Sequence, residues 1–214
     1  IVGYGEGGAG GGALVMGHLA PLMVGRDPFD IERNWDIAFR VMESYGTEGG
    51  TMNAMSGFDN ALGDIVGKAL GEPVYRLLGG EAKPRIPAYC TGNDIEQHVA
   101  FGYKRLKVAM PAGPIRGEEG KRENVALVAR ARKAVGPDGD VMCDCWMSWD
   151  EQYTIEMCKL MEPYRVKWVE EVLPPYDFAG FGRLRKKITS TNIATGEHVY
   201  GRYGFRKLLD ADGA

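Results

Sequence analysis

The chain of 214 residues lacks several features that mark other classes of protein. It has no apolar run near the about 20 residues that a membrane-spanning helix needs, and no basic segment followed by an apolar leader. Its formal net charge is only −3, with both signs mixed along the chain, so it offers no electrostatic footprint for nucleic acid. We therefore expect neither a membrane nor a nucleic acid partner, and a cytoplasmic location.

Cysteine is scarce, and its spacing excludes a zinc site. The four cysteines form no CxxC pair, and no histidine lies at the spacing that completes a zinc ligand set. We expect free, buried thiols in a reducing compartment. Cys143 and Cys145 flank Asp144 in a predicted strand, so they should share the opposite face and pack against helices.

Glycine is abundant at the start of the chain, where IVGYGEGGAGGG contains a literal G-x-G-x-x-G at Gly3, Gly5 and Gly8. Asp27 even falls roughly where a ribose-binding acid is expected. The dinucleotide fingerprint requires a preceding strand, however, and only two residues precede Gly3. The sequence therefore favours a flexible glycine loop over a dinucleotide site.

The first part of the chain has helical patterns. We predict helices over Ala13–Val24 and from Pro28 with Asp27 as its N-cap, followed by a helix over about Thr51–Leu70. The apolar stripes of the last two are Ile31, Trp35, Phe39 and Met42, and Phe58, Leu62, Ile65, Val66 and Ala69. Gly79, Gly80 and Pro84 indicate a domain junction near residue 84.

Beyond the junction, strands and helices alternate, which is typical of a parallel α/β sheet. The predicted strands are Ile86–Thr91, Arg105–Met110, Asp140–Met147, Val166–Val172 and Asn192–Val199. The predicted helices between them are Ile95–Gly102, Glu118–Val135, Asp150–Tyr164 and Tyr176–Ile188.

Three successive predicted strands each deliver a carboxylate at or near their ends: Asp144, Glu170 and Glu197, which are 26 and 27 residues apart. Parallel strands would place these acids side by side at one rim of the sheet, and hard oxygen ligands in that number suit Mg²⁺. Because each strand contributes one acid to a common centre, the pattern favours a (β/α) barrel over an open sheet. A closed barrel takes about 250 residues, so we expect the chain to be incomplete at both ends.

The runs GYKRLKVAMPAGP, CDCWMSWD, WVEEVLPP and ATGEHVYGRYGF resemble the mandelate racemase branch of the enolase superfamily, and within it the L-rhamnonate dehydratases. The run MNAMSGFDNALGDIVGKALGEPVYRLLGG resembles the helical capping segment of that family. The resemblance implies part of an α+β capping domain over residues 1–84, and the first five strands of a modified TIM-type (β/α) barrel over 85–214.

The resemblance also implies a magnesium site formed by Asp144, Glu170 and Glu197. Glu171, the next residue, is the alternative to Glu170 as a metal ligand. Period-two alternation allows only one of the two to join Asp144 directly, and the family pattern selects Glu170. The main acid/base histidine of the family and its aspartate partner would lie beyond Ala214.

Three further residues are candidates for the site. Lys107 lies where the superfamily often has a Lys-x-Lys pair, but Ala109 replaces the second lysine, which argues against a lysine base on this strand. For Lys107, the alternative is an ordinary solvent-exposed lysine at a strand end. His198 follows Glu197 and either faces the substrate or orients a metal ligand. Trp146 alternates with Asp144 and is a candidate wall of the substrate site, with a core role as the alternative.

The function implied by the resemblance is Mg²⁺-dependent dehydration of a sugar acid, most closely L-rhamnonate, by a hydro-lyase that forms a homo-oligomer. The alternatives are another aldonate, such as L-mannonate or L-lyxonate, and a non-catalytic homologue or fragment that binds metal.

Overall fold

The computed structural model describes residues 1–8 and 10–213, which form two compact units divided between Ile86 and Pro87. The described part of the first unit is helical. Its α-helices are α1 (Gly11–Leu14), α2 (Ala20–Met23), α3 (Ile31–Met42), α4 (Gly50–Leu70) and α5 (Val74–Leu77).

The predicted helix Ala13–Val24 is divided in the structure. A turn of π-helix, Val15–Leu19, separates α1 from α2. Pro21 lies in the first turn of α2, and a proline has no N–H to donate to the carbonyl four residues earlier. The interruption therefore occurs where the α-helical hydrogen-bond ladder lacks a donor.

The prediction that Asp27 caps the second helix is wrong. Asp27 instead closes a turn by accepting a hydrogen bond from the Phe29 backbone N–H at 2.9 Å, so α3 begins at Ile31. Of the predicted stripe, only Met42 is fully buried, and the other buried residues of α3 are Asn34 and Ala38.

The glycine-rich start of the chain packs directly against α4. Cβ atoms at Gly3 and Gly5 would overlap the carbonyl oxygens of Ala61 and Gly57, and a Cβ at Gly57 would lie 2.6 Å from the Gly7 nitrogen. Two residues of extended chain advance about 6.6 Å and four residues of helix about 6 Å, so each glycine at every second residue meets the next helical turn. The glycine run is a packing device, and no strand precedes it within the described residues.

We predict that Gly57→Ala destabilises the chain by about 1–3 kcal/mol, the usual range for overpacking, because the new methyl group would overlap backbone atoms that cannot rotate away. Gly12→Ala is the matched control, since a Cβ there meets nothing within 4 Å and alanine favours a helix. Urea unfolding followed by circular dichroism measures both. Equal stability of Gly57→Ala and Gly12→Ala would contradict the close packing.

The second unit is a five-stranded parallel sheet with helices between the strands, which confirms the predicted α/β class. Its elements in chain order are β1 (Cys90–Thr91), α6 (Ile95–Ala100), β2 (Arg105–Ala109), α7 (Gly117–Val135), β3 (Asp140–Asp144), α8 (Glu151–Met161), β4 (Trp168–Glu170), α9 (Phe178–Lys187), β5 (Asn192–Ala194) and α10 (Gly201–Asp210).

The strands pair in sequence order, β1-β2-β3-β4-β5, and each neighbouring pair is parallel. The order contains no reversal, whereas a doubly wound sheet has one at its switch point. With right-handed crossovers, this order places successive helices on one face of the sheet, as in a (β/α) barrel. Closure into a complete barrel stays a prediction.

All five strands are shorter than predicted, and α10 was not predicted. The strands β3 and β4 end early because left-handed residues follow them, namely Trp146 and Met147 with φ of 43° and 63°, and Glu171 with φ of 46°. These conformations turn the chain out of the extended ladder within two residues of the carboxylates. An apolar run therefore predicted each strand, but not its last residue.

The core of this unit lies between the sheet and the helices. Leu106, Val108, Val141 and Val169 point to the helix side, with Cys143 and Cys145 among them, so the predicted packing of both thiols is confirmed. Burial raises the pKa of both of these thiols, and of Cys158 to about 12, so the three are unreactive at neutral pH. In the described part of the chain, no helix combines the length and apolar character that crossing a membrane demands.

Arg132, near the end of α7, connects the segments that enter β3 and β4. Its guanidinium donates to four carbonyl oxygens at 2.6–3.2 Å, those of Gly136, Gly139, Tyr164 and Arg165. The planar guanidinium has several N–H donors in fixed directions, so it can bond all four carbonyl oxygens, which a side chain with one donor could not.

We expect Arg132→Met to lower the free energy of unfolding by about 2–4 kcal/mol, because hydrogen bonds from a charged donor contribute about 1.5–3 kcal/mol each and are only partly replaced by water. Arg122→Met, an exposed change on the same helix, should change it by less than about 0.5 kcal/mol. Comparing the urea midpoints of the two variants tests the assignment. Similar midpoints would show that the carbonyls find other donors.

Candidate metal centre

Strand register places two of the predicted metal ligands side by side. Asp144 pairs with Glu170 across β3 and β4, and the same row continues to Ala109 on β2 and Ala194 on β5. Each of these residues is the last of its strand. The two carboxylates are therefore neighbours at the carboxyl-terminal edge of the sheet.

Lys107 supplies the positive charge between them. It lies two residues before Ala109, on the same face of β2, and its Nζ is 3.0 Å from Asp144 Oδ2 and 2.7 Å from Glu170 Oε1. Burial alone would lower the pKa of Lys107, but its hydrogen bonds to Glu170 and Asp144 outweigh burial and hold that pKa well above its usual range. These two hydrogen bonds therefore favour the charged form of Lys107.

Two tryptophans complete the hydrogen bonds of these carboxylates. Trp168 Nε1 donates to Glu170 Oε2 at 2.9 Å, and the Trp146 backbone N–H donates to Asp144 Oδ1 at 3.1 Å. The ring of Trp168 also meets Tyr89 edge to face, with centroids 5.7 Å apart. Sequence reasoning missed Trp168, although its position two residues before Glu170 predicts the same face. No sequence signal pointed to Tyr89.

Glu197 reaches the same centre from the loop after β5. Ligand atoms of Asp144, Glu170 and Glu197 all lie within 4.8 Å of one another. The structure thus brings together the three predicted metal ligands, and Glu197 is the exposed member of the set.

Glu171 does not join Asp144 and Glu170, and its side chain instead contacts the loop after β5. Its carboxylate accepts from the His198 backbone N–H at 3.1 Å and lies 2.6 Å from His198 Nδ1. Glu171, Glu197 and His198 form a second group with ligand atoms within 4.8 Å, so Glu197 belongs to both groups.

The backbone conformation of Trp146 differs from the one that the strand pattern predicts. The expected alternation with Asp144 does not extend to it, because β3 ends at Asp144 and Trp146 has a positive φ. Trp146 is 67% exposed, so it is not part of the core of the described unit. A substrate-wall role for Trp146 stays a prediction.

The donor set fits a magnesium ion. Three carboxylates offer hard oxygen ligands, the type that Mg²⁺ prefers, and leave positions for water or substrate. The ammonium group of Lys107 already lies between two of them, which shows that this point of the structure stabilises positive charge. Both of those carboxylate side chains are 15% exposed, so an ion can reach them.

Comparison with known proteins agrees with this geometry. Residues 92–214, more than half of the chain, match the family described as "Enolase C-terminal domain-like". Residues 1–79 match the "Mandelate racemase / muconate lactonizing enzyme, N-terminal domain". The chain belongs to this enolase superfamily of proteins.

Two of the similar proteins are named as rhamnonate dehydratases. The chain is 39% identical over 210 residues to the L-rhamnonate dehydratase of Saccharopolyspora erythraea, a match that covers 98% of this chain and 54% of that protein. It is 40% identical to the crystal structure of rhamnonate dehydratase from Gibberella zeae complexed with Mg, with a TM-score of 0.87 over 94% of this chain and 49% of that one.

A third relative has a different named activity. The 3,6-anhydro-D-galactonate cycloisomerase of Zobellia galactanivorans is 31% identical, with a TM-score of 0.88, and the match covers 99% of this chain and 61% of that one. The chain spans about half the length of the curated relative and of the rhamnonate dehydratase structure that it matches.

We predict that Lys107→Met destabilises the metal-free chain by up to about 3 kcal/mol, the lower end of what removing one partner of a buried ion pair costs, because Asp144 and Glu170 then repel each other. Added Mg²⁺ should restore the melting temperature of Lys107→Met by more than it raises that of the wild type. Lys104→Met, an exposed lysine just before the same strand, is the control. Thermal melts in EDTA and in Mg²⁺ measure the difference, and an equal Mg²⁺ response would contradict it.

Proposed function

We propose that the chain carries the metal-binding part of a Mg²⁺-dependent acid-sugar dehydratase, a hydro-lyase whose substrate is L-rhamnonate. The observation that carries the proposal is the convergence of Asp144, Glu170 and Glu197 within 4.8 Å at the carboxyl-terminal edge of a parallel sheet. The similarity to L-rhamnonate dehydratases supports the choice of reaction and substrate.

The reaction needs positive charge at this centre. Removing the proton next to a carboxylate creates a second negative charge beside the first, and a bound divalent cation supplies the compensating charge. In the proposed site, the three carboxylates would hold Mg²⁺. Lys107 keeps one fixed positive charge beside them, where it can also attract the carboxylate of a sugar acid.

The dehydration as a whole requires no reactant other than the sugar acid. The substrate loses the proton at C2 and the hydroxyl at C3 as one molecule of water, and the resulting enol tautomerises to a 2-keto-3-deoxy acid. In this proposal Lys107, whose ammonium group lies between Asp144 and Glu170, is not the base for the first step. We propose His198, beside Glu197, as a group that contacts the substrate or orients the site, and Trp146 as an exposed apolar wall next to Asp144.

Turnover and metal binding test the proposal together. We expect the dehydratase of which this chain forms the metal-binding part to convert L-rhamnonate, in the presence of Mg²⁺, to a 2-keto-3-deoxy product that disappears with EDTA and in Glu197→Gln. We also expect Mg²⁺ binding by calorimetry to weaken at least tenfold in Glu197→Gln, because one of three carboxylate ligands is lost. Glu119→Gln, which removes an exposed carboxylate on α7, should bind Mg²⁺ as the wild type does.

The other outcomes separate the alternatives. Product from L-mannonate or L-lyxonate, but not from L-rhamnonate, would change the substrate and keep the reaction. Mg²⁺ binding without product from any aldonate would leave a non-catalytic metal-binding homologue or fragment. Absence of Mg²⁺ binding would overturn the proposal.

A further inference from the structure

Glu171 is a buried carboxylate whose two oxygens serve a single neighbour. Its side chain is 1% exposed, and one oxygen accepts from the backbone N–H of His198 while the other meets Nδ1 of the same residue. Within the described chain, these are the only hydrogen bonds of the Glu171 side chain. A carboxylate removed from water needs such donors, so both contacts are required for its burial.

The backbone of Glu171 is fixed as firmly as its side chain. Its N–H donates to the Ala194 carbonyl at the end of β5, and its carbonyl accepts from the Met147 N–H in the loop after β3. Its φ of 46° is uncommon for a residue other than glycine, and such conformations persist where the surroundings hold them. Glu171 therefore links the loops that follow three adjacent strands.

We propose that Glu171 is the positioning residue of the site and that it acts on both His198 and Glu197. By accepting from Nδ1–H, the carboxylate fixes the orientation of the His198 ring and selects the neutral tautomer in which Nε2 is unprotonated. Nε2 makes no hydrogen bond to any described residue, so it is the nitrogen left for a ligand.

The effect on Glu197 is transmitted through one peptide bond. The N–H that Glu171 holds belongs to the peptide that joins Glu197 to His198. The Glu197 carboxylate has no hydrogen bond or ion pair of its own in the described structure, so its position depends on this backbone. The proposal deepens the proposed function, on which it rests for the role of the site.

The tautomer of His198 is the direct test, and it needs neither metal nor substrate. The chain has three histidines, so ¹⁵N-labelled histidine gives few signals, and His198 is assigned by its loss in His198→Asn. For the neutral ring, in alkaline solution, we expect a pyrrole-type Nδ1 and a pyridine-type Nε2. The opposite tautomer in the wild type would overturn the proposal, whatever any variant does.

Glu171→Gln provides the second test. The amide oxygen must accept from the backbone N–H of His198, which leaves its NH₂ group facing Nδ1, so the ring should change to the Nε2–H tautomer. Mg²⁺ affinity should fall about tenfold, the lower range for losing a group that orients a ligand. Glu119→Gln, which removes the same charge from an exposed position, should change neither readout.

The outcomes distinguish this inference from the proposed function. An unchanged tautomer or an unchanged Mg²⁺ affinity in folded Glu171→Gln would overturn the positioning role. If the wild type binds no Mg²⁺, the proposed function fails, and the tautomer alone then decides the role of Glu171. If Glu171→Gln does not fold, the wild-type tautomer still decides it.

Discussion

The repulsion between two adjacent carboxylates is the constraint on which the second unit depends. Sheet register makes Asp144 and Glu170 direct neighbours, and like charges at that distance are unfavourable unless a cation lies between them. Lys107 supplies this cation. It lies two residues before Ala109 on the same face of β2, and its long side chain reaches both acids. Residues of three neighbouring strands thus offset only part of the negative charge of the site, because one ammonium group faces two carboxylates and Glu197 adds a third.

The same strand order explains why much of this centre could be predicted from the sequence. In a parallel sheet whose strands pair in chain order, each repeat of strand, helix and loops returns the chain to the same edge. The spacing of 26 residues therefore predicted that Glu170 would lie beside Asp144, and period-two alternation predicted that Cys143 would face the helices. These predictions hold because they depend only on strand geometry.

The parts that the sequence did not predict are those where the strand geometry stops. Trp146 was expected to continue the alternation of β3, but a positive φ turns it to the surface, and nothing in its side-chain type indicates that conformation. The glycine run at the start of the chain shows a related difficulty. Absence of a Cβ permits close approach to a phosphate or to a helix, and only the packing of Gly5 on Gly57 distinguishes the two.

Glu170 and Glu171 show how one backbone dihedral angle separates the functions of two identical side chains. In a continuing strand, Glu171 would project toward the apolar helix layer, where an ionised carboxylate is very unfavourable. The positive φ of Glu171 ends the strand and directs its carboxylate to the backbone N–H and the Nδ1 atom of His198 instead. One glutamate can then remain beside the cation site while its neighbour is buried against the residue that follows Glu197. The unfavourable φ of Glu171 thus accompanies the hydrogen bonds that hold the backbone next to Glu197, the third carboxylate of the site.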